Sequence, residues 1–276
     1  MDLKSYLKQR QLLINKALGR YLPSTARFPG AIHKAMRYSV LGEGKRIRPI
    51  LALAACEAVG GKVSSVLPAA CALEIIHAYS LVHDDLPAMD DDDFRRGKPS
   101  CHKKFGEAIG VLTGDALLTF SFELLASGSH NGASSVHLQV IREIAKAIGT
   151  DGMIGGQVVD VDAARRGGVP PATMEYINTR KTGALISASV RIGALLGGVS
   201  PKAYQSIRHY GDRIGLVFQF VDDLLDKDGA VRLYGVEAVR RKANRLTESA
   251  IAALAPFGKK AEPLRALAQF ILTRDF

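Results

Sequence analysis

The chain has 276 residues, 47% of them hydrophobic and 23% charged, which is ordinary for a soluble globular protein with room for one large core or two modest domains. A formal net charge of +10 invites a nucleic-acid partner, but the bases are interleaved with acids and no aromatic-plus-arginine stripe appears, so no nucleic acid is expected. No apolar run of roughly 18 residues occurs, and the opening MDLKSYLKQRQLL alternates charge with leucine, so the expectation is no integral membrane segment, no signal peptide and a cytoplasmic location. Cys56, Cys71 and Cys101 lack metal-type spacing and fit a reducing compartment, two as packing residues and one in a loop.

Helical periodicity predicts helices over residues 50–59, 69–83, 110–125, 136–148, 173–196, 201–225 and 236–254, with no alternating strand. Glycine-, proline- and serine-rich breaks separate them at Gly42-Glu43-Gly44, Gly60-Gly61, 127–133, 165–171 and Gly197-Gly198. Most breaks are short, as between antiparallel neighbours, and several helices are apolar nearly all round, which places them at a centre. The predicted fold class is all-α: a single domain over 1–276, a bundle of about ten or more mostly antiparallel helices.

Two acidic clusters interrupt this apolar background. One comprises Asp84, Asp85 and the run Asp90, Asp91, Asp92 and Asp93; the other is Asp222, Asp223 and Asp226. Like charges in apolar surroundings repel and are costly to bury unpaired, and divalent cations between them remove that cost. Oxygen donors point to Mg²⁺, which completes its octahedron with water and phosphate. An acidic run alone is more often a solvated helix end, but a second cluster within an apolar helix and the Arg95-Arg96 pair decide for metal. Asp222 and Asp226 lie about 40° apart round a helix, so one face presents both. Asp84 and Asp90 would be about 120° apart on a straight helix. Pro87 between them predicts a bend or bulge that brings Asp90 back beside Asp84. Lys45, Arg46 and Arg48, and Arg95, Arg96 and Lys98, accompany the acids, suggesting a small polyanion held between bases and metal.

The run HDDLPAMDDDDFRRGKP, from His83 to Pro99, resembles the first aspartate-rich motif of the trans-polyprenyl diphosphate synthases, with the two-residue insertion of the bacterial farnesyl branch. FQFVDDLLD, ending at Asp226, resembles the second. GKRIRP from Gly44, His77, Gly114-Asp115, Gly156-Gln157 and Lys181-Thr182-Gly183 follow in the family's order. The resemblance spans nearly the whole chain and implies an isoprenoid-synthase bundle around a central apolar cavity, a homodimer, and head-to-tail condensation of isopentenyl diphosphate with allylic diphosphates (dimethylallyl, then geranyl).

It further implies that Asp84, Asp85, Asp90, Asp222, Asp223 and Asp226 hold Mg²⁺, about three ions with substrate bound, against the charge of the leaving pyrophosphate. Arg95 and Lys181 would contact the allylic diphosphate. Gly44, Lys45, Arg48, His77 and Arg96 would hold isopentenyl diphosphate without metal. Thr182 and Gln219, Gln219 also as a substrate contact, would stabilise the carbocation with nearby carbonyls. Departing pyrophosphate takes the final proton, so no protein base is assigned. Tyr79 and Ser80, one turn before Asp84, would floor the product tunnel, with a C15 product, farnesyl diphosphate, expected. The alternatives are a C20, geranylgeranyl product, or a non-catalytic partner subunit; such subunits tend to lose one acidic motif, and this chain keeps both. The chain departs from the family after Asp226. A mobile loop of roughly two dozen residues carrying a lysine is usual there, whereas Asp226-Lys227-Asp228-Gly229 runs straight into the next helix. Either the protein is short here, with Lys227 or Arg232 substituting, or the sequence lacks residues.

Overall fold

The computed structural model describes residues 1–127, 134–166 and 170–274. Helices α1 Leu3–Tyr21, α2 Gly30–Val40, α3 Ile47–Val59 and α4 Val63–Asp84 lead to a small hairpin, β1 Phe94–Arg95 and β2 Lys98–Pro99. They are followed by α5 Cys101–Phe105, α6 Glu107–Ser127, α7 Ser134–Ile148, α8 Met153–Arg166 and α9 Pro171–Ile177. A π-helical turn, Asn178–Gly183, joins α9 to α10 Ala184–Leu196; α11 Pro201–Asp226, α12 Ala230–Tyr234, α13 Val236–Ala253 and α14 Glu262–Thr273 complete the chain. The all-α expectation holds. Two expected breaks, 127–133 and 165–171, fall largely on residues 128–133 and 167–169, outside the described residues.

Every helix expected from periodicity is present, while α1, α2, α5, α8, α12 and α14 lie outside the expected spans. The span 173–196 is helical throughout but not uniformly so, since Asn178–Gly183 widens to the π form. The expectation of no strand is corrected by the hairpin, which pairs Phe94 with Pro99 and Arg95 with Lys98. Its turn uses Arg96 at φ 53° and Gly97 at φ 72°, the left-handed pair of a tight two-residue hairpin.

The chain divides into two compact units, one of Leu7–Ile50 and Leu67–His137, the other of Met1–Tyr6, Leu51–Val66 and Leu138–Phe276. In the first, α4 buries Ala70, Cys71, Ala72, Leu73, Ile75 and Ile76, and α6 packs with α2 and α5. Gly114 on α6 admits His83, because a Cβ there would lie 2.0 Å from its Nε2. In the second, α11 packs on α10 and α13. Helix α13 turns Val239, Ala243, Thr247 and Ala250 inward at helical spacing. Phe220, Ala230, Val231, Val239 and Ala243 form a cluster beneath the last turns of α11, with Leu216, Leu224, Leu246 and Leu272 against it. Ser200 caps α11 by accepting from the Ala203 amide at 3.3 Å, with Pro201 in the first turn.

Although no uninterrupted apolar run occurs, α4 and α6 each reach a mean hydropathy of 1.5 over 18 residues, long and apolar enough to cross a membrane by composition. Burial accounts for α4, with 67% of that window inside; α6 has only 39% inside, and Val111 and Leu112 stand exposed.

Candidate active site

In the first unit, a short loop between α2 and α3 is shaped by a buried charge. Arg46, at φ 54° and only 3% exposed, pairs with Glu74 of α4 at 2.6 Å. The same guanidinium donates to Asn15 Oδ1 at 3.0 Å, the Val40 carbonyl at 2.9 Å and the Gly42 carbonyl at 2.6 Å. Of the three bases that cluster here in sequence, Arg46 is therefore a structural pin, while Lys45 is exposed and Arg48 half-buried. Gln11 donates to the Gly44 carbonyl at 2.7 Å and Arg96 to the Glu43 carbonyl at 2.7 Å. A Cβ on Gly44 would come within 2.8 Å of Arg96 Nη1 and 2.9 Å of Arg46 Nη1, so a side chain there would push both guanidinium groups aside.

His77, on the α4 segment facing this loop, has its pKa pushed well below the ordinary value, first by burial and then by Arg48, Arg96, Arg46 and Arg95. A neutral imidazole among four guanidinium groups marks a site of positive potential suited to a polyanion. Arg96 is itself desolvated, which lowers its pKa. Two residues on, Tyr79 is 5% exposed, its hydroxyl has no partner, and its ring meets His83 edge-on at 6.0 Å. Burial and the Asp84 charge push its phenol up to about 12. Ser80 donates back to the His77 carbonyl at 3.0 Å.

Helix α4 ends at Asp84 instead of bending through Pro87, which corrects the expected cause but not its consequence. The chain turns back, so the Asp90 amide donates to the Asp84 carbonyl at 2.9 Å and the Asp91 amide to the Leu86 carbonyl at 3.1 Å. Asp84 is half-buried and Asp90 exposed, and the turn holds their backbones side by side. Asp85, by contrast, points inward at 2% exposure, and Arg95 grips its Oδ1 through Nη2 and, at 2.8 Å, through Nε. Burial raises the Asp85 pKa against the lowering effect of that guanidinium, and the pair raises the pKa of Arg95. Arg95 also reaches Asp92 Oδ2 at 2.7 Å. Oxygen donors from Asp84 and Asp90 suit a hard divalent ion.

The second unit presents the other cluster on the last turns of α11. Asp222 pairs with Arg274, whose guanidinium lies 3.6 Å over the Phe218 ring and donates to the Phe218 carbonyl at 3.0 Å. Asp223 is buried and receives Asn178 Nδ2 at 3.0 Å, Gln219 Nε2 at 2.8 Å and the Ala230 amide at 2.9 Å. Its carboxylate thereby joins α11 to the π-helical turn and to the start of α12. Asp226 is the exposed last residue of α11. Lys227 at φ 53° and Gly229 at φ 55° then close a tight turn, and a Cβ on Gly229 would sit 2.7 Å from the Asp223 carboxylate. Arg232 pairs with Asp228 at 2.9 Å.

Lys181 and Thr182 both fall on the π-helical turn, half-buried. Lys181 Nζ is 2.6 Å from Asp160 Oδ2 on α8. Helix α8 comes this close because Gly156 has no side chain; a Cβ would meet the Lys181 amide nitrogen at 2.4 Å. Asp160, Asn178 and Arg274 were missed by sequence reasoning. Asp160 stands one turn after Gln157 on the same face and could have been found from that spacing. Asn178 and Arg274 reach the second acidic motif from other elements, and no local signal marks them.

A family model described as polyprenyl synthetase matches residues 29–256. The chain belongs to the polyprenyl synthetase family. A chloroplastic geranylgeranyl pyrophosphate synthase of Capsicum annuum is 42% identical over 294 residues, covering 99% of this chain and 79% of that protein. The large subunit 1 of a heterodimeric geranylgeranyl pyrophosphate synthase of Arabidopsis thaliana is 45% identical, covering 99% of this chain and 80% of that one. Among solved structures, an FPP/GFPP synthase of Zymomonas mobilis superposes with TM-score 0.92 at 38% identity, covering 98% and 99% of the two chains. A geranyltransferase of Legionella pneumophila gives TM-score 0.91 at 33% identity, covering 98% of this chain and 96% of that one. The chain is thus an all-α prenyl diphosphate synthase-family enzyme with the isoprenoid synthase fold; the family is magnesium-dependent and its acidic clusters are present. The Capsicum alignment runs over 294 positions against 276 residues here, so that relative carries residues this chain lacks within the aligned span.

Proposed function

We propose that this enzyme condenses isopentenyl diphosphate head-to-tail with dimethylallyl and geranyl diphosphate to release farnesyl diphosphate. Tyr79 carries the choice of C15: a buried, bulky ring five residues before Asp84 suits a stop for the growing chain. Asp84 and Asp90 of the first acidic motif, and Asp222 and Asp226 of the second, hold the metal that neutralises the leaving diphosphate. Bound Mg²⁺, about three ions, supplies the positive charge that stabilises pyrophosphate as the C–O bond breaks. Asp85 and Asp223 also belong to these motifs, and their burial suits them to orienting Arg95, Asn178 and Gln219 for that work. Arg95 and Lys181 bind the allylic diphosphate. Gly44, Lys45, Arg48, His77 and Arg96 bind isopentenyl diphosphate, which the basic surroundings of His77 support. The Gln219 carbonyl oxygen and Thr182 face the developing cation.

Two copies associate through α6, whose exposed Val111 and Leu112 (44% and 53% accessible) offer an apolar face. A cytoplasmic location fits three free, buried thiols. A second reading, a C20 product, is favoured by the names of the plant relatives. Purified protein with Mg²⁺, isopentenyl diphosphate and each allylic diphosphate, with and without chelator, tests the assignment by chromatography of dephosphorylated products. Farnesol that disappears with chelator supports it; geranylgeraniol as the main product replaces it with the second reading; no prenyl product refutes both.

A further inference from the structure

Two aspartates of the first acidic motif and a histidine just beyond it carry no role in the reaction described above. Asp91 and Asp93 are exposed, and His102, on α5, is buried at 4% exposure. Each offers one ligand atom, and these atoms all lie within 4.8 Å of one another. His102 Nδ1 is 3.0 Å from the Ser100 hydroxyl, while Nε2 is buried with no hydrogen-bond partner. A buried polar nitrogen without a partner needs an explanation, since nearly all such atoms are satisfied. Lys103 Nζ holds Asp93 Oδ1 at 2.7 Å, so a cation already contributes charge to this cluster. Asp91 sits at φ 52°, its amide donating a hydrogen bond to the Leu86 carbonyl, and the Ser100 amide donates to the Asp93 carbonyl at 2.9 Å.

We infer that Asp91, Asp93 and His102 form a further divalent-cation site, selective for an imidazole-preferring metal of the Co²⁺ or Zn²⁺ class over Mg²⁺. Two carboxylates balance the charge of such an ion, and an imidazole nitrogen is a donor that Mg²⁺ uses poorly. The Ser100 hydroxyl orients the ring through its other nitrogen, as groups behind metal-binding histidines do. Three protein ligands leave positions for water. Occupancy ties the 90–93 run to α5, and the hairpin between them carries Arg95 and Arg96, so the ion fixes the base of both guanidinium groups.

The test needs neither substrate nor turnover, so it stands apart from the proposed reaction. Co²⁺ is titrated into the full-length protein in excess Mg²⁺, with visible absorption reporting nitrogen ligation and calorimetry the stoichiometry. One Co²⁺ equivalent per chain is expected, persisting in Asp84→Asn and weakened by at least about tenfold in Asp91→Asn, Asp93→Asn and His102→Gln. Lys103→Met tightens binding by removing the competing ammonium. The two aspartate variants alter exposed side chains, so they decide the matter even if His102→Gln does not fold. Failure to retain Co²⁺ against Mg²⁺, retention undiminished in both aspartate variants, or loss that follows Asp84→Asn instead would each overturn the site.

Discussion

Replacing Arg46 with methionine isolates the pin beneath the 42–44 loop. The side chains of Arg46 and Glu74 are 2% and 4% exposed, so neither charge can turn to water when the other is removed. An orphaned buried charge of this kind costs ~3–5 kcal/mol. The Val40 and Gly42 carbonyls also lose their donor, adding about 1 kcal/mol each. Arg46→Met is therefore expected to lose about 5–7 kcal/mol, a large part of a typical domain's stability of ~5–15 kcal/mol. That corresponds to a Tm lower by about 10 °C in thermal unfolding followed by circular dichroism. Adding Glu74→Leu removes the stranded carboxylate and returns ~3 kcal/mol, the carbonyl loss remaining. With the loop released, KM for isopentenyl diphosphate rises about tenfold or more while kcat changes less, because Gly44, Lys45 and Arg48 lose their placement but not their chemistry. A loss below about 1 kcal/mol in Arg46→Met, or a double variant no more stable than the single, would refute the reasoning.

Tyr79→Phe is expected to leave stability unchanged or raise it by up to about 1 kcal/mol, since the hydroxyl is buried without a partner; Tyr79→Ala shifts product toward C20 in chromatography, and unchanged C15 output removes Tyr79 from that role. His77 has a folded-state pKa well below the ordinary 6.5, so between that value and 6.5 the unfolded chain binds a proton that the folded chain refuses. Stability is then complete above pH 6.5 and falls on acidification by up to about 1.4 kcal/mol per pH unit; His77→Gln should flatten this part of a Tm-against-pH profile, and an unaltered slope argues against it. Arg274→Ala lowers Tm without Mg²⁺ by only a few degrees, roughly 1–2 kcal/mol, because Asp222 is 29% exposed and water screens part of the loss. Added Mg²⁺ should recover part of that Tm in a scanning-fluorimetry comparison by replacing the guanidinium charge; a larger deficit with Mg²⁺ would contradict this.

Local periodicity made most of the helices legible. The span 201–225 matches α11 to within one residue because Ser200-Pro201 starts it and Gly229 follows its end, both short-range signals. Helix α4 begins six residues before its expected start because Pro68 reads as a stop, yet the proline ring falls early enough to cost a single backbone bond. Helices α1 and α2 were hidden by mixed polarity, having one narrow buried stripe each: Ile14, Ala17 and Leu18, and His33, Ala35, Met36 and Val40. The hairpin is too short for alternation to register, although Arg96-Gly97 between candidate strand residues is a turn signal.

Sequence alone determined the helical class, the two acidic motifs and the basic residues that accompany them, because spacing along a helix and the cost of unbalanced charge are local properties. By resemblance it assigned both Asp84 and Asp85, and both Asp222 and Asp223, to the metal, and spacing alone does not separate the members of each pair. Only the tertiary structure decided which member of each pair turns inward. Asp85 does so because Arg95 returns to it from a hairpin, and Asp223 because Asn178, Gln219 and the Ala230 amide converge on it. Most of those donors come from other elements of the fold, and a buried carboxylate is stable only where they arrive together, a condition that no single stretch of chain can state.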